Sequence, residues 1–266
     1  MDSTLKPLPD AKSLTAREVL RAAWPLFQVS LPGCLPLAVL GVAASGVPGA
    51  EAVAHGDTHG LVHGADWWGL YLASNVLMLI CYSGVLRKQL ALARGEGIGA
   101  LKALQEGLIE LPQSIGVLIL TMIGILVGGV LLIVPGLLAL VYTNFAWIAQ
   151  IDEKLGPTAA IRRSVELVRG RVLAVAGIIG ALAAGVLVFV LLTGILMAIV
   201  MNLAGRDAQE SHVGLSFSRW LLAGILSLPV VYIGAVTITA WRTARATRFS
   251  AISTAPTPPP VLPSNS

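Results

Sequence analysis

The chain has 266 residues, of which 56% are hydrophobic and 12% charged, with a formal net charge of +4. A soluble domain uses roughly 25% charged residues, so half of the charge needed to cover a water-facing surface is missing, and a water-soluble enzyme is excluded. The basic balance is spread over several loops, which fits orientation in a bilayer and gives no concentrated surface for nucleic acid.

In chain order, a tail of residues 1–12 precedes "SLTAREVLRAAW". Thr15 and Glu18 form a capping box there, and Leu14 with Val19 forms a hydrophobic staple, so a helix begins at this point. It leads into the first of six predicted spans, about 26–47, "LFQVSLPGCLPLAVLGVAASGV", which Pro32 and Pro36 should kink. The "AEA" at 50–52 resembles a leader-cleavage site. The apolar run before it exceeds the ~7–15 residues of a leader core, so it is read as a retained span.

The next stretch, "HGDTHGLVHG", repeats histidine every fourth residue at His55, His59 and His63. On a helix these would share one face, and Asp57 or Asp66 could complete a zinc site. Gly56, Gly60 and Gly64 oppose a helix, so an external loop without metal is expected. The second span, about 67–86, follows, and then "GIGALKALQEGLIEL". Leu101, Leu104, Leu108 and Leu111 lie on one helical face of that segment, with Lys102, Glu106 and Glu110 on another.

The third span, about 113–134, should end at a turn made by Pro135 and Gly136. The fourth, about 137–151, is short: at 1.5 Å per residue it covers only about 22 Å of a ~30 Å core. A third amphipathic segment, "PTAAIRRSVELVRG", then interrupts the apolar sequence. Pro157 suits its first turn and Gly170 its stop. Ile161, Val165 and Val168 share one face, and Glu166 can pair with Arg162 or Arg169. From Val172 the chain stays apolar to Met201. That is read as a span over 172–193, a break near Thr193-Gly194 and an interfacial continuation. The sixth span, about 220–241, contains Pro229, and residues 250–266 are Pro-rich and expected to be disordered.

The result is an all-α polytopic transmembrane bundle, with the membrane domain over 13–249 arranged as three amphipathic-helix-plus-hairpin units. With six spans, sixteen of the eighteen Lys and Arg fall on one side and only Arg206 and Arg219 on the other. The positive-inside rule therefore places both termini in the cytoplasm. Trp24, Trp147 and Trp241 fall at inner span ends, and Trp67, Trp68 and Trp220 at outer ends, where amphipathic rings prefer to lie.

The run from Val134 to Val175, "VPGLLALVYTNFAWIAQIDEKLGPTAAIRRSVELVRGRVLAV", carries a resemblance. Pro135-Gly136, Asp152-Glu153, Gly156, Ala160, Ser164 and Gly170 resemble the pattern of the YciC-like families of bacterial inner-membrane proteins. Those families are related to the membrane domain of some glycerophosphodiester phosphodiesterases. The resemblance implies a bacterial inner-membrane location and the six-span fold, and supplies no catalytic residues.

Chemistry is otherwise sparse. No Asp, Glu, Lys, Arg or His lies inside any of the six spans, although intramembrane catalysis or proton coupling would call for such groups. Asn75 and Asn144 are the candidate lining of a midplane polar site, beside Thr121, Thr143 and Thr193, whose ordinary role is hydrogen bonding between helices. "GLSF" at 214–217 near His212 lacks the nucleophile elbow of a serine hydrolase, and Cys34 and Cys81 form no disulfide or metal pattern. Gly124/Gly128, Ala176/Gly180 and Ala181/Gly185 are small-x-x-x-small pairs suited to internal packing or to a homo-oligomer. Arg162, Arg163 and Arg169 are expected to face anionic headgroups. The expected function is that of a non-enzymatic membrane protein without cofactors, an envelope scaffold or lipid-facing accessory. The alternative is a permease or channel for a neutral or lipidic solute.

Overall fold

The computed structural model describes residues 13–54, 65–210 and 212–253. Among them are nine helices and no strand: α1 (Ala16–Ala54), α2 (Ala65–Ala93), α3 (Ala100–Ile109), α4 (Leu111–Leu131), α5 (Ile133–Thr143), α6 (Ala146–Glu153), α7 (Pro157–Val168), α8 (Val172–Glu210) and α9 (His212–Ser253). Six stretches are long and apolar enough to cross a membrane: Ala16–Pro48, Asp66–Ala93, Leu111–Val130, Val134–Glu153, Val172–Val200 and Leu221–Arg248. The all-α transmembrane bundle of six spans is therefore the observed architecture. Hydrocarbon offers no hydrogen-bond partners, so every spanning backbone group must be satisfied within the helix. The same solvent explains why Leu187, Leu191, Leu192, Ile195 and Leu196 of α8 can stand exposed.

The centre is made by α1 and α9 packed along each other, with α2 against α1 and α4–α7 closing one end. Val19, Ala23, Leu86, Phe145, Ile148, Val236, Ile238 and Trp241 are buried together there. Gln89 is fully buried beside them; its Nε2 donates to the Val231 carbonyl (2.8 Å) and the Ser30 hydroxyl (3.2 Å), tying α2 to α9 and α1. Its amide occupies the place a side chain at position 234 would need, which is why Gly234 stands there.

Several boundaries differ from expectation. α1 runs from Ala16 to Ala54, longer at both ends than the span expected over 26–47, with Pro32 and Pro36 inside it. "SLTAREVLRAAW" forms the first turns of that same helix, leaving α3 and α7 as the separate amphipathic helices. The hairpin after the third span turns at Leu132, which is extended (φ −169°, ψ 153°), while Pro135 and Gly136 lie inside α5. Their function is close packing. A Cβ on Gly128 would sit 2.9 Å from backbone atoms of Pro135 and Gly136, and one on Gly136 would sit 3.0 Å from Gly129. The fourth span is interrupted at Asn144-Phe145. α8 runs unbroken through Thr193-Gly194; a helical glycine costs about 1 kcal/mol relative to alanine, less than leaving backbone groups unpaired in lipid.

Candidate functional site at the charged end

α6 ends at Glu153 because Lys154 adopts the left-handed conformation (φ 50°). That places two adjacent carboxylates at the end of the fourth span. Asp152, its side chain 3% exposed, forms ion pairs with Arg94 from the end of α2 and Arg245 from α9. It also accepts a hydrogen bond from Trp241 Nε1 at 2.9 Å. Arg245 lies 5.6 Å from the centroid of the Trp241 ring, within cation–π range. Glu153 accepts from Arg163 of α7 at 3.0–3.3 Å and lies 3.6 Å from Arg245 Nε.

The network extends along α7. Glu166 is 3.4 Å from Arg162, 3.6 Å from Arg163 and 3.8 Å from Arg248. At the start of α8, Arg171 donates to Thr247 Oγ1 (2.5 Å) and to the Ala244 carbonyl (3.2 Å) of α9. A carboxylate matched by two guanidiniums and 3% exposed holds helices together; it is poorly placed to take a proton from a substrate.

α7 is also docked by apolar and neutral polar contacts. Pro157 sits against Gly116 of α4, where a Cβ would meet its ring at 2.6 Å. Ser164, fully buried, spans the break in the fourth span: its hydroxyl donates to the Tyr142 carbonyl (2.6 Å) and accepts from the Phe145 N–H (3.1 Å). Those are backbone groups that the interruption releases, and a buried N–H without a partner would cost about 1–3 kcal/mol. Gln150 and Ser114 bond at 3.3 Å between α6 and α4.

A concave surface of another kind lies between α1, α8 and α9. It is an apolar cleft of about 470 Å³, with Trp24, Phe27 and Tyr232 on one side and Ala181, Gly185 and Phe189 on the other. The three aromatic rings are mutually packed at centroid distances of 5.3, 5.5 and 6.3 Å.

The predicted site residues do not gather in one place. Arg162 is exposed and pairs with Glu166, whereas Arg163 is largely covered and spent on Glu153 and Glu166. Arg169 is exposed and caps the end of α7. The face α7 buries is Ala160, Ser164, Leu167 and Val168, with Ile161 half-buried and Val165 36% exposed. Of the expected apolar stripe, Val168 is thus buried, Ile161 packs against the core and Val165 turns outward, while Ser164 reaches the Asn144-Phe145 break.

Asn75 is exposed on α2 and donates to the Tyr71 carbonyl of its own helix at 2.7 Å. Asn144 lies half-buried at the break. Neither lines the apolar cleft. Gly128 packs within the α4–α5 hairpin, while Gly124, Gly180 and Gly185 have open space where a Cβ would be. Trp241, placed by sequence at an inner span end, is fully buried inside the protein at the charged end. His55, His59 and His63, with Gly56, Asp57, Gly60 and Gly64, lie outside the described residues, as do residues 1–12 and 254–266. Asp66 falls in the first turn of α2.

Sequence reasoning missed Asp152 and Trp241 as one unit; the available signal was an acid and an interfacial aromatic, each ending a span at the same side. Together the helices and the charged end define a helical integral membrane protein. Comparisons with family models, curated proteins and solved structures return no match.

Proposed function

We propose that the chain is a non-enzymatic protein of the bacterial inner membrane, with both termini cytoplasmic, acting as a lipid-facing scaffold or accessory of the envelope. It would belong to the YciC-like families. The carrying observation is the apolar cleft between spanning helices α1, α8 and α9, a concave surface suited to hydrocarbon. The charged end supports the orientation, since the positive-inside rule assigns such an end to the cytoplasm.

The test has two arms. In a deletion strain, loss of envelope integrity should be restored by the wild-type gene. In proteoliposomes, purified protein should neither hydrolyse phospholipid nor accelerate efflux of trapped glycerol. Failure to restore integrity, or turnover of lipid, would replace the reading. Glycerol efflux would favour the permease, whose support is the interruption of the fourth span at Asn144-Phe145, since transporters use broken helices at their binding sites. Here the released backbone groups are already bonded by Ser164, which favours a structural joint.

A further inference from the structure

The α1/α8/α9 cleft has a chemistry more specific than general lipid contact, and its assignment rests on the membrane-embedded, lipid-facing reading proposed for the chain. Its volume, about 470 Å³, falls in the ~300–1,000 Å³ range of small-ligand pockets. One wall is aromatic: Trp24, Phe27 and Tyr232 pack on one another, and Tyr232 donates a long hydrogen bond to the Leu20 carbonyl at 3.4 Å. The other wall is α8, which presents Ala181 and Gly185. Small residues at this spacing normally let helices close on each other. Here they do not: a Cβ on Gly185 would meet nothing within 4 Å. The gap is apolar, elongated along three helices and open between them.

The rim supplies the second half. On α1, Arg17, Leu20, Trp24 and Phe27 recur at three- and four-residue spacing and so share one side of the helix. Arg17 stands about 4.5 Å along the axis beyond Leu20, and Arg21 is one turn before Trp24. Both arginines are exposed, and neither is ion-paired with a described residue. Glu18, between them, points about 100° around the helix from Arg17 and accepts from Ser13 Oγ at 2.5 Å. An apolar slot capped by two cations matches an anionic amphiphile with a single long chain in the slot.

We infer that the cleft holds one anionic diacyl phospholipid from the leaflet at the charged end, with an acyl chain between the aromatic wall and the Ala181/Gly185 face and the phosphate on Arg17 and Arg21. Zwitterionic phospholipid offers the same chain and phosphate but adds an ammonium that the arginines repel.

The test is native mass spectrometry of the protein released from vesicles of equal phosphatidylglycerol and phosphatidylethanolamine. Wild type should leave with phosphatidylglycerol bound in preference to phosphatidylethanolamine. The Arg17→Gln/Arg21→Gln variant should lose that preference about thirtyfold, given about 1 kcal/mol from each of the two basic residues near an anionic surface. Gly185→Leu should lower retention of both lipids by filling the slot, whereas Ala184→Leu, on the exposed side of α8, should not. A diazirine-bearing acyl chain on phosphatidylglycerol gives a second readout and should label peptides containing Tyr232 or Gly185. Unchanged phosphatidylglycerol retention in both the arginine and the Gly185 variants would overturn the inference. So would a loss produced instead by Arg162→Gln/Arg169→Gln, which would move the lipid to α7, or a lipid-free species of doubled mass, which would give the cleft to a second copy. These outcomes are independent of the integrity and efflux arms, so either proposal can fail while the other stands.

Discussion

α3 and α7 are both short amphipathic helices that dock on the bundle, α3 through small residues and α7 through small and apolar ones, yet they differ in what they leave outside. α3 buries Ala103 and Gly107 and leaves Leu101 (70%), Leu108 (56%) and Ile109 (77%) exposed. Its acids, Glu106 and Glu110, turn back to Arg87 of α2, with Glu106 at 2.8 Å. α7 buries Ala160, Ser164, Leu167 and Val168 and exposes Thr158, Arg162 and Arg169. The difference teaches that amphipathicity fixes which residues share a face, while the surrounding solvent decides which face is outside. Leucines left bare beside an exposed Lys102, as on α3, fit the boundary between hydrocarbon and headgroups; arginines left bare, as on α7, mean water or headgroups.

The largest expected effect tests that depth difference directly, in a background with Cys34 and Cys81 replaced by Ala. Thr158→Cys in sealed inside-out vesicles should react with a water-soluble maleimide, and Leu108→Cys should react only with a lipid-phase probe. If Leu108→Cys is labelled from water at the rate of Thr158→Cys, the two helices lie at the same depth and the comparison fails.

Next is stability. Asp152→Ala removes the ion-pair partner of Arg94, leaves Arg245 only Glu153 at 3.6 Å, and removes the acceptor of Trp241. Breaking a buried pair costs about 3–5 kcal/mol. Because these guanidiniums are 45% and 34% exposed, the lower end, about 3 kcal/mol, is expected. That corresponds to a thermal midpoint in detergent lowered by about 6–10 °C. On the α3 side, Gly107→Leu drives a Cβ to 2.9 Å from the Ile80 carbonyl and 3.3 Å from the Gly84 nitrogen. Overpacking against backbone costs about 1–3 kcal/mol, so a smaller drop in midpoint is expected. A midpoint unchanged in Gly107→Leu would show that α3 is only loosely seated.

The contrast also shows what was legible in the sequence. Six spans could be read because a bilayer demands about 20 apolar residues in a row, a local property. The start and stop of α7 could be read from Pro157 and Gly170, whose conformations are set by covalent structure; Gly170 does take φ +84°. The break at Asn144-Phe145 could not, because "LVYTNFAWI" holds several weak helix formers but no Gly or Pro to mark where a helix would stop. It exists because Ser164, 19 residues beyond Phe145, meets the released groups. The burial of Trp241 was hidden for a related reason. A tryptophan at a span end suits the interface in isolation, but Asp152, 89 residues away, gives its indole N–H a partner inside the protein. The buried face of α7 was legible in part: Val168 is buried and Ile161 packs on the core as the apolar stripe predicts, whereas Ser164 is buried for partners that lie in the fourth span.

The smallest expected effect concerns the arginines of α7 itself. Arg162 is 82% exposed and holds Glu166 at 3.4 Å, an i,i+4 pair of the kind that contributes about 0.3–0.5 kcal/mol and is screened by salt. Glu166 retains Arg163 and Arg248 when Arg162 is removed. Arg162→Gln should therefore shift the thermal midpoint by no more than about 1–2 °C, and salt at about 0.5 M should erase the shift. Arg163→Gln provides the internal contrast, since its partner Glu153 also faces Arg245 and its side chain is only 25% exposed. It should cost more than Arg162→Gln, and with less dependence on salt. If Arg162→Gln proves the more damaging of the two, the exposed edge of α7 carries a contact that the ion-pair network does not contain, and headgroup contact at that edge becomes the better account of it.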